Sequence, residues 1–525
     1  MFQLVTIEEA SKWATSFVGK EVTTSNISYL VQYGKIKKFG SDGRILVSLS
    51  ELDNYYKTQL KPREKIWKKR LGNDLNWTLS FDEYKESERT KHVHRLHPYK
   101  GKFIPQLVEY FLDTHTDKFK EKAYFKKGDI ILDPFCGSGT TLVQANELGM
   151  HAIGIDISAF NTLIGNVKID KYDIGIIEKS ISTITTDIES FQKNRKNVEF
   201  EEALLCRLKM FNDKYFPSPE YRRKVGLKQI NEKEYGQEKE REFLKTYYEL
   251  IDKYKIVLKQ KSNATFLDKW FLQPVRGEID FVFKRVRDIK NSRLKKIIAI
   301  MLSRTVRSCR ATTHADLATL IEPVIATYYC KKHGKICKPL FSILSWWKRY
   351  GKDTVQRLKQ FDRLRTDTYQ RCLTGDSRTI NIFSELKKKQ KKFGELTEKR
   401  KIKGIFSSPP YVGLINYHEQ HAYAYDLFGF NRQDALEIGP LFRGQGKAAR
   451  DSYIQGIENS LINCKQFLQK DYDVFLVAND KYGLYPEIAK LSGMKIVNQF
   501  KRPVLNRVEK DRAAYAEIIF HLKEK

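Results

Sequence analysis

The stretch SSPPYVG, residues 407 to 413, places two hydroxyls, two consecutive prolines and an aromatic ring directly after an apolar run, Ile402 to Phe406, broken by Lys403 and Gly404. Proline removes a backbone donor and fixes φ, so Pro409 and Pro410 end strand pairing and leave a stiff turn. Such a turn holds a polar group still. A second constellation is GDIILDPFCGSGTTLVQANELGMHAIGIDIS, residues 128 to 158. Gly137 and Gly139 let the backbone come close to a ligand, and Asp156 is placed to accept hydrogen bonds from a ribose diol. The pattern G-x-G-x-x-G is incomplete, because Gly137-Ser138-Gly139 runs into Thr140-Thr141-Leu142, so a pyrophosphate site is disfavoured.

The elements that must position these residues follow from periodicity. Ile130 to Leu132 reads as a strand, Thr140 to Leu148 as a helix and Ala152 to Ile155 as the next strand, with Asp156 at its end. That is a βαβ-type half-unit with a right-handed crossover, and open α/β sheets bind ligands at the carboxyl edge of their strands.

Composition sets the wider frame. A chain of 525 residues, 41% hydrophobic, is long enough for a sizeable core and more than one domain. Its 95 Lys and Arg against 64 Asp and Glu give a formal charge of +31, which favours polyanionic partners over a merely solvated surface. Seven cysteines without a pairing pattern suggest reduced thiols, hence a cytoplasmic protein. The start, MFQLVTIEEASKW, is not expected to be a secretory signal, and no 18-residue apolar run suggests a membrane span.

The N-terminal zone has its own pattern. Ile7, Ala10, Trp13, Ala14 and Phe17 recur at helical spacing behind a Thr6 cap with Glu9 three residues on. A break at Gly19, a second helix, a hairpin turning at Ser41-Asp42-Gly43 and a third helix follow. This outline resembles a winged helix-turn-helix of the excisionase type, with Ser25, Asn26, Tyr29, Gln32 and Lys35 along the groove-facing helix. A small helical cap that packs on the next domain is the other reading.

The loop Asp133-Pro-Phe135-x-Gly137-x-Gly139-Thr140-Thr141 resembles the S-adenosylmethionine loop of amino-group DNA methyltransferases. Their second signature is matched by Ser408-Pro409-Pro410-Tyr411. HPYKGKFIPQLVEYF, 97 to 111, resembles the family segment enclosing the methionine end and supplies His97, Lys102 and Phe103. In LTGDSRTI, Asp376 falls where the adenine contact is expected, and FKRPVLNRVEKDRAAYAEIIFHL resembles the last strands. The matches keep a consistent order outside residues 1–60 and about 170–365.

The resemblance implies a Rossmann-like α/β methyltransferase sheet with a large, mainly helical insertion and the N-terminal winged helix-turn-helix. The implied domains are 1–60 for DNA binding, 61–170 with the cofactor loop, 171–365 for target recognition, and 366–525 with the catalytic turn. It also implies direct methyl transfer to an exocyclic amino group. Ser408 and a backbone carbonyl near Pro409 would hold that amino group as acceptors, and Tyr411 would stack on a base flipped from the duplex. Ser at the first signature position points to cytosine N4, with adenine N6 kept open. Transfer to cytosine C5 needs a cysteine nucleophile, and the chain has no Pro-Cys dipeptide.

Within the insertion, Arg307, Arg310, His314, Trp346 and Arg349 lie in stretches mixing basic, hydroxyl and aromatic residues, as contacts to phosphates and base edges would. EYGQEKEREFLKTYYELIDKYKIVLKQ reads as a solvated helix, as does the charge run SELKKKQKKFGELTEKRKIKG, the latter as helix or loop. YDVFLVAND reads as a buried strand, and LFRGQGKAARDSY as a loop facing DNA. Cys330-x2-His333-x3-Cys337, with Cys309 or His314 upstream, comes near zinc-ligand spacing, but its irregular second pair favours reduced packing cysteines, so no metal is expected. His92, His94 and His97 are read as part of the cofactor-enclosing segment. Expected partners are duplex DNA and a cognate restriction endonuclease in a bacterial or archaeal cytoplasm. An RNA base methyltransferase and a non-catalytic DNA-binding regulator are the alternative functions.

Overall fold

The structure, a computed structural model, describes all residues except 1–2, 19–20, 41–44, 60–62, 85, 194, 315–319 and 506–513. Its strands in chain order are β1 (Leu4–Thr6), β2 (Leu46–Ser48), β3 (Ile130–Asp133), β4 (His151–Asp156), β5 (Tyr328–Cys330), β6 (Lys335–Cys337), β7 (Gln370–Thr374), β8 (Ile402–Ser407), β9 (Leu468–Ala478), β10 (Met494–Pro503) and β11 (Ala516–Glu524). The chain folds as two compact units.

The larger unit comprises Trp67–Asp187, Asp280–Arg307 and Leu344–Lys525. It is built on one seven-stranded sheet of order β10-β11-β9-β8-β3-β4-β7. The five strands from β9 to β7 are parallel, and β11 runs antiparallel to both its neighbours. Burial on both faces explains why these strands do not alternate apolar with polar residues: all four residues of β3 are buried, and β8 is buried except at Lys403. From β3 the chain passes to β4 and β7 on one side, and from β8 to β9 on the other. The β3–β8 pair is therefore the topological switch point, where open α/β sheets form their ligand crevice.

Gly404 is required by the approach of β9. A Cβ there would lie 2.1 Å from the Asp473 carbonyl oxygen. Backbone cannot step aside as a side chain could, so Gly404→Ala is expected to destabilise the unit by about 3 kcal/mol. A lowered midpoint of thermal unfolding is the check; an unchanged midpoint would mean that β8 and β9 are not packed this closely.

The smaller unit comprises Met1–Ile66, Ile188–Ile279 and Ser308–Ile343. Its N-terminal part buries Ala10, Ala14, Ile27, Leu30 and Leu52, with β1 and β2 antiparallel. The capping expected from Thr6 and Glu9 is present: Glu9 accepts from the Thr6 N–H at 2.8 Å, and Thr6 Oγ1 accepts from the Glu9 N–H at 3.2 Å. The turn expected at Ser41-Asp42-Gly43 lies outside the described residues. On its flanks, Phe39 and Leu46 exchange both backbone hydrogen bonds at 2.8 Å.

The two units divide the chain differently from the boundaries expected at 170 and 365. Only 188–279 and 308–343 of the insertion group with the N-terminal residues, and the rest groups with the sheet. The physical reason is packing. The helix Leu344–Asp362 sets Phe361 against the His92 ring at 5.3 Å and buries Trp347, whose indole N–H donates to Thr185 Oγ1 at 3.0 Å.

Candidate active site

The ends of β3, β4, β7 and β8 all point to one edge of the sheet, and the segments that follow them line one cleft of about 830 Å³, part of it open to solvent. After β3 come Phe135, Gly137 and Thr140, after β4 Asp156 itself and Ser158, after β7 Asp376, and after β8 Ser408 and Pro410. Lys102 and Phe103 line the same cleft from the segment before the sheet. The sequence candidates from four separated stretches are thus brought together.

The glycine loop is set by backbone. Gly139 opens the helix Thr140–Glu147 at φ +78, and its missing Cβ lets Gly165 approach, since a Cβ would sit 3.0 Å from the Gly165 Cα. At Gly137, φ is +50 and a Cβ would meet the Tyr99 ring at 3.0 Å. The loop is then bonded in place. Asp156 accepts from the N–H groups of Gly137 and Ser158, both at 2.8 Å, and from Asn161 Nδ2 at 3.1 Å. Burial pushes the Asp156 carboxyl up to about 6, against the pull of these hydrogen bonds.

Four cofactor candidates are set back from the lining: Gly139, at the start of its helix, and Asp133, Thr141 and His97. Asp133 is buried and accepts from Ser407 Oγ at 2.6 Å, with burial raising its carboxyl to about 6. Thr141 Oγ1 donates to the Phe406 carbonyl at 3.3 Å. These two bonds lock the glycine loop against β8, which carries the Pro-Pro turn. His97 is fully buried, with Nδ1 near the Pro98 carbonyl at 2.9 Å and Nε2 near Ser303 Oγ at 3.2 Å. Burial, then nearby His421, pulls its pKa well down, so the ring is neutral. Asp376 reaches the cleft, but its carboxylate is already held by Arg378 at 2.6 Å. Lys102 likewise spends Nζ on the His94 carbonyl at 2.7 Å.

At the turn itself, Ser408 Oγ donates to the Val477 carbonyl at 3.0 Å. That use of the proton leaves the oxygen's lone pairs as acceptors. Pro409 is buried, while Tyr411 faces away from the first cleft and lines a second, of about 1180 Å³, with its hydroxyl donating to Glu517 at 2.8 Å. The Ser-Pro-Pro-Tyr turn therefore stands between two clefts.

Sequence reasoning missed several participants. Tyr417 and Glu437 line the first cleft from irregular segments without a signature; Glu437 is buried and accepts from the His418 N–H at 2.7 Å. Lys168 is fully buried and donates to the Ser138 carbonyl at 2.6 Å, fixing the glycine loop from behind. Its position four residues after Ile164, on the inward face of the helix Ala159–Ile169, was the available signal.

The five candidate DNA contacts do not converge. Trp346 and Arg349 border a groove of the larger unit with Arg95 and Lys352, sharing Tyr99 and Lys102 with the first cleft. The Arg349 guanidinium lies 5.1 Å from the Trp346 ring centre. Arg307 also belongs to the larger unit and is half-buried. Arg310 and His314 belong to the smaller one, where Arg310 is buried at 7% exposure and His314 sits among thiols. A buried guanidinium and an enclosed imidazole are poorly placed to reach a duplex.

Comparison with known proteins agrees with this geometry. The DNA methylase family profile matches residues 12–163. The chain is 48% identical over 528 residues to the Type II methyltransferase M.MjaII of Methanocaldococcus jannaschii, covering 99% of this chain and 97% of that one. It is also 32% identical over 116 residues to the Type II methyltransferase M.MvaI of Kocuria varians, 22% of this chain and 24% of the relative. A tRNA (guanine(10)-N2)-dimethyltransferase of M. jannaschii is 30% identical over 128 residues, 23% of this chain and 32% of its own. The chain belongs to the N4/N6 amino-methyltransferases of the restriction-modification type, the Type II DNA methyltransferases. Its methyl donor is S-adenosylmethionine.

The cleft fits that donor. Asp156 presents a carboxylate at the end of β4, and the glycine loop offers backbone at close range where side chains are excluded. Two further lining residues carry polar atoms, Asn161 Oδ1 and Ser138 Oγ, that are buried with no hydrogen-bond partner among the described residues. Among the described residues, no helix is long and apolar enough to cross a membrane.

Proposed function

We propose that this chain methylates the exocyclic amino group of a base flipped out of duplex DNA, cytosine N4 ahead of adenine N6, as the modification half of a restriction system. The observation that carries this reading is the position of Ser408 and Pro410 in the same cleft as Asp156 and the glycine loop. S-adenosylmethionine, when bound, supplies an electrophilic methyl on a sulfonium. The chain's own residues then have separable tasks.

Asp156 binds the ribose hydroxyls, and the loop from Phe135 to Thr140 surrounds the rest of the nucleoside. Ser408, with its proton committed to Val477, accepts a hydrogen bond from the amino group, as does the carbonyl that the proline pair holds rigid. Two acceptors on one amino group favour a pyramidal nitrogen with its lone pair available, whereas a conjugated amino group is a poor nucleophile. The gain is one of positioning and preset electrostatics. The flipped base enters from the second cleft, where Tyr411 packs against it, and reaches across the turn to present its amino group to Ser408.

DNA approaches along the basic groove bordered by Arg95, Trp346, Arg349 and Lys352, which adjoins the cleft through Tyr99 and Lys102. The smaller unit reads sequence. In it the helix Thr24–Gln32 serves as the recognition helix of a winged helix-turn-helix and leaves Ser25, Tyr29 and Gln32 exposed, with Lys35 exposed in the turn beyond its end. Asn26 is spent on the capping box with Thr23 and takes no part in readout.

The test is expression in a host without DNA methylation, followed by single-molecule sequencing of genomic DNA. N4-methylcytosine throughout one short sequence is the expected result. N6-methyladenine throughout one sequence would overturn the choice of acceptor and keep the substrate. Unmodified DNA from a protein that binds S-adenosylmethionine would overturn DNA as sole substrate and direct the assay to RNA.

A further inference from the structure

We propose that His314, Cys330, His333 and Cys337 form a structural zinc site in the smaller unit. One ligand atom from each residue lies within 4.8 Å of all the others. Cys330 Sγ is 3.8 Å from His314 Nδ1 and 3.7 Å from His333 Nδ1, and His333 Nδ1 is 3.4 Å from Cys337 Sγ. Tetrahedral zinc with Zn–S of about 2.3 Å and Zn–N of about 2.05 Å has sulfur–nitrogen edges of about 3.5 to 3.6 Å. The side chains already outline a cage of that size.

The backbone explains how irregular spacing converges. β5 and β6 form a short antiparallel hairpin in which Tyr328 pairs with Cys337 and Cys330 with Lys335. Alternate residues of a strand, and residues directly opposite, share a face, so the two thiols emerge on one side. His333 is carried back to that side by the turn, where Gly334 has φ +61 and the Cys330 carbonyl accepts from the His333 and Gly334 N–H groups at 3.1 and 2.7 Å. His314 arrives from the segment after the helix Ser292–Ser308. Cys309, the other upstream candidate, is buried outside the cluster.

The hairpin packs on the neighbouring helices through buried Ile336 and through Tyr329, whose hydroxyl donates to Glu232 at 2.9 Å, but the face that carries the thiols has little else to hold it. Its strands are three residues long, and apart from the two thiols the buried members of its local cluster reduce to Tyr328. A two-stranded ribbon of that size is marginal in water, and small cores of this kind are stapled by a metal or a disulfide. Two thiolates and two imidazoles are the ligand set of structural zinc, and their softness disfavours calcium and magnesium. Tyr328 Oη lies 2.8 Å from His314 Nδ1 and 3.1 Å from the His314 backbone N–H. When a metal takes the Nδ1 lone pair, the hydroxyl keeps the backbone donor. The metal thereby ties the segment at 314 to a hairpin that Asn212 and Glu240 fasten to the helices Asn197–Tyr215 and Glu232–Tyr254.

The full chain, purified without chelator, is expected to contain one zinc per molecule by elemental analysis. X-ray absorption should count two sulfur and two nitrogen neighbours. Cobalt(II) exchanged into the protein should give the intense visible bands of tetrahedral thiolate coordination. Cys330→Ser and Cys337→Ser should each lower zinc content at least tenfold, while Cys206→Ser, at an exposed cysteine outside the cluster, keeps it. Metal-free wild-type protein without a tetrahedral cobalt spectrum, a Cys330–Cys337 disulfide in the reduced-lysate preparation, or full zinc in the cysteine variants would each overturn the site. Should the cysteine variants fail to fold, the wild-type stoichiometry and ligand count decide alone.

Discussion

Ser408→Ala is expected to lower turnover by about 10²- to 10³-fold while leaving the affinity for S-adenosylmethionine unchanged. The asymmetry follows from the cleft. On the proposed reading Asp156 and the glycine loop hold the donor, while Ser408, which lines the same cleft with its proton given to the Val477 carbonyl, serves the acceptor base. Loss of the bond to the Val477 carbonyl costs the fold only about 1 kcal/mol. Single-turnover methylation of a duplex oligonucleotide, with calorimetric binding of the donor as control, separates the two effects. Full turnover in the variant would remove Ser408 from the chemistry. A parallel loss of donor binding would show instead that the turn supports the cofactor side of the cleft.

The parts of this site that the sequence disclosed are those in which backbone and chemistry constrain the same short stretch. The half-unit expected over Ile130–Ile155 is present with ends moved by a residue or so, because a buried strand, a glycine turn and a helix each leave a local pattern. The capping pair Thr6 and Glu9 was legible for the same reason. The run SELKKKQKKFGELTEKRKIKG hid two helices, Ile382–Lys389 and Lys391–Arg400. Its lysines concealed Leu386 and Phe393, which enter the core of the sheet. Other features depend on distance in space alone. Whether Asp133 touches the cleft or stands behind it is decided by Ser407, 274 residues away. The separation of Arg310 and His314 from Trp346 and Arg349 arises because the insertion is shared between two units, which no local pattern announces. The thiol and imidazole cluster looked irregular for a similar reason: its fourth member comes from 16 residues upstream of Cys330.

Acidification is expected to weaken donor binding through Asp156. Its carboxyl titrates near 6 because burial opposes the charge, so above that value it is a carboxylate ready to accept from two ribose hydroxyls, and below it a neutral acid. Binding favours the charged form, so affinity should be level from about pH 8 to 7 and fall by up to about tenfold per pH unit below 6. The effect on the fold has the opposite sign. The free carboxyl titrates near 3.8 and the buried one near 6, so the unfolded chain loses its proton first. The buried charge therefore costs stability as pH rises from about 4 to about 6, and protonating this group does not loosen the fold. Asp133, raised to about 6 as well, could imitate the profile, but it bonds Ser407 behind the lining. Asp156→Asn separates the two. It should bind the donor about 10- to 100-fold more weakly at pH 8, the worth of a charge-assisted hydrogen bond, and its affinity should no longer follow pH. Calorimetric titrations of both proteins across this range are the measurement. An Asp156→Asn variant that still tracks pH through 6 would assign the titration to Asp133, and with it the coupling between the glycine loop and the strand that carries the Pro-Pro turn.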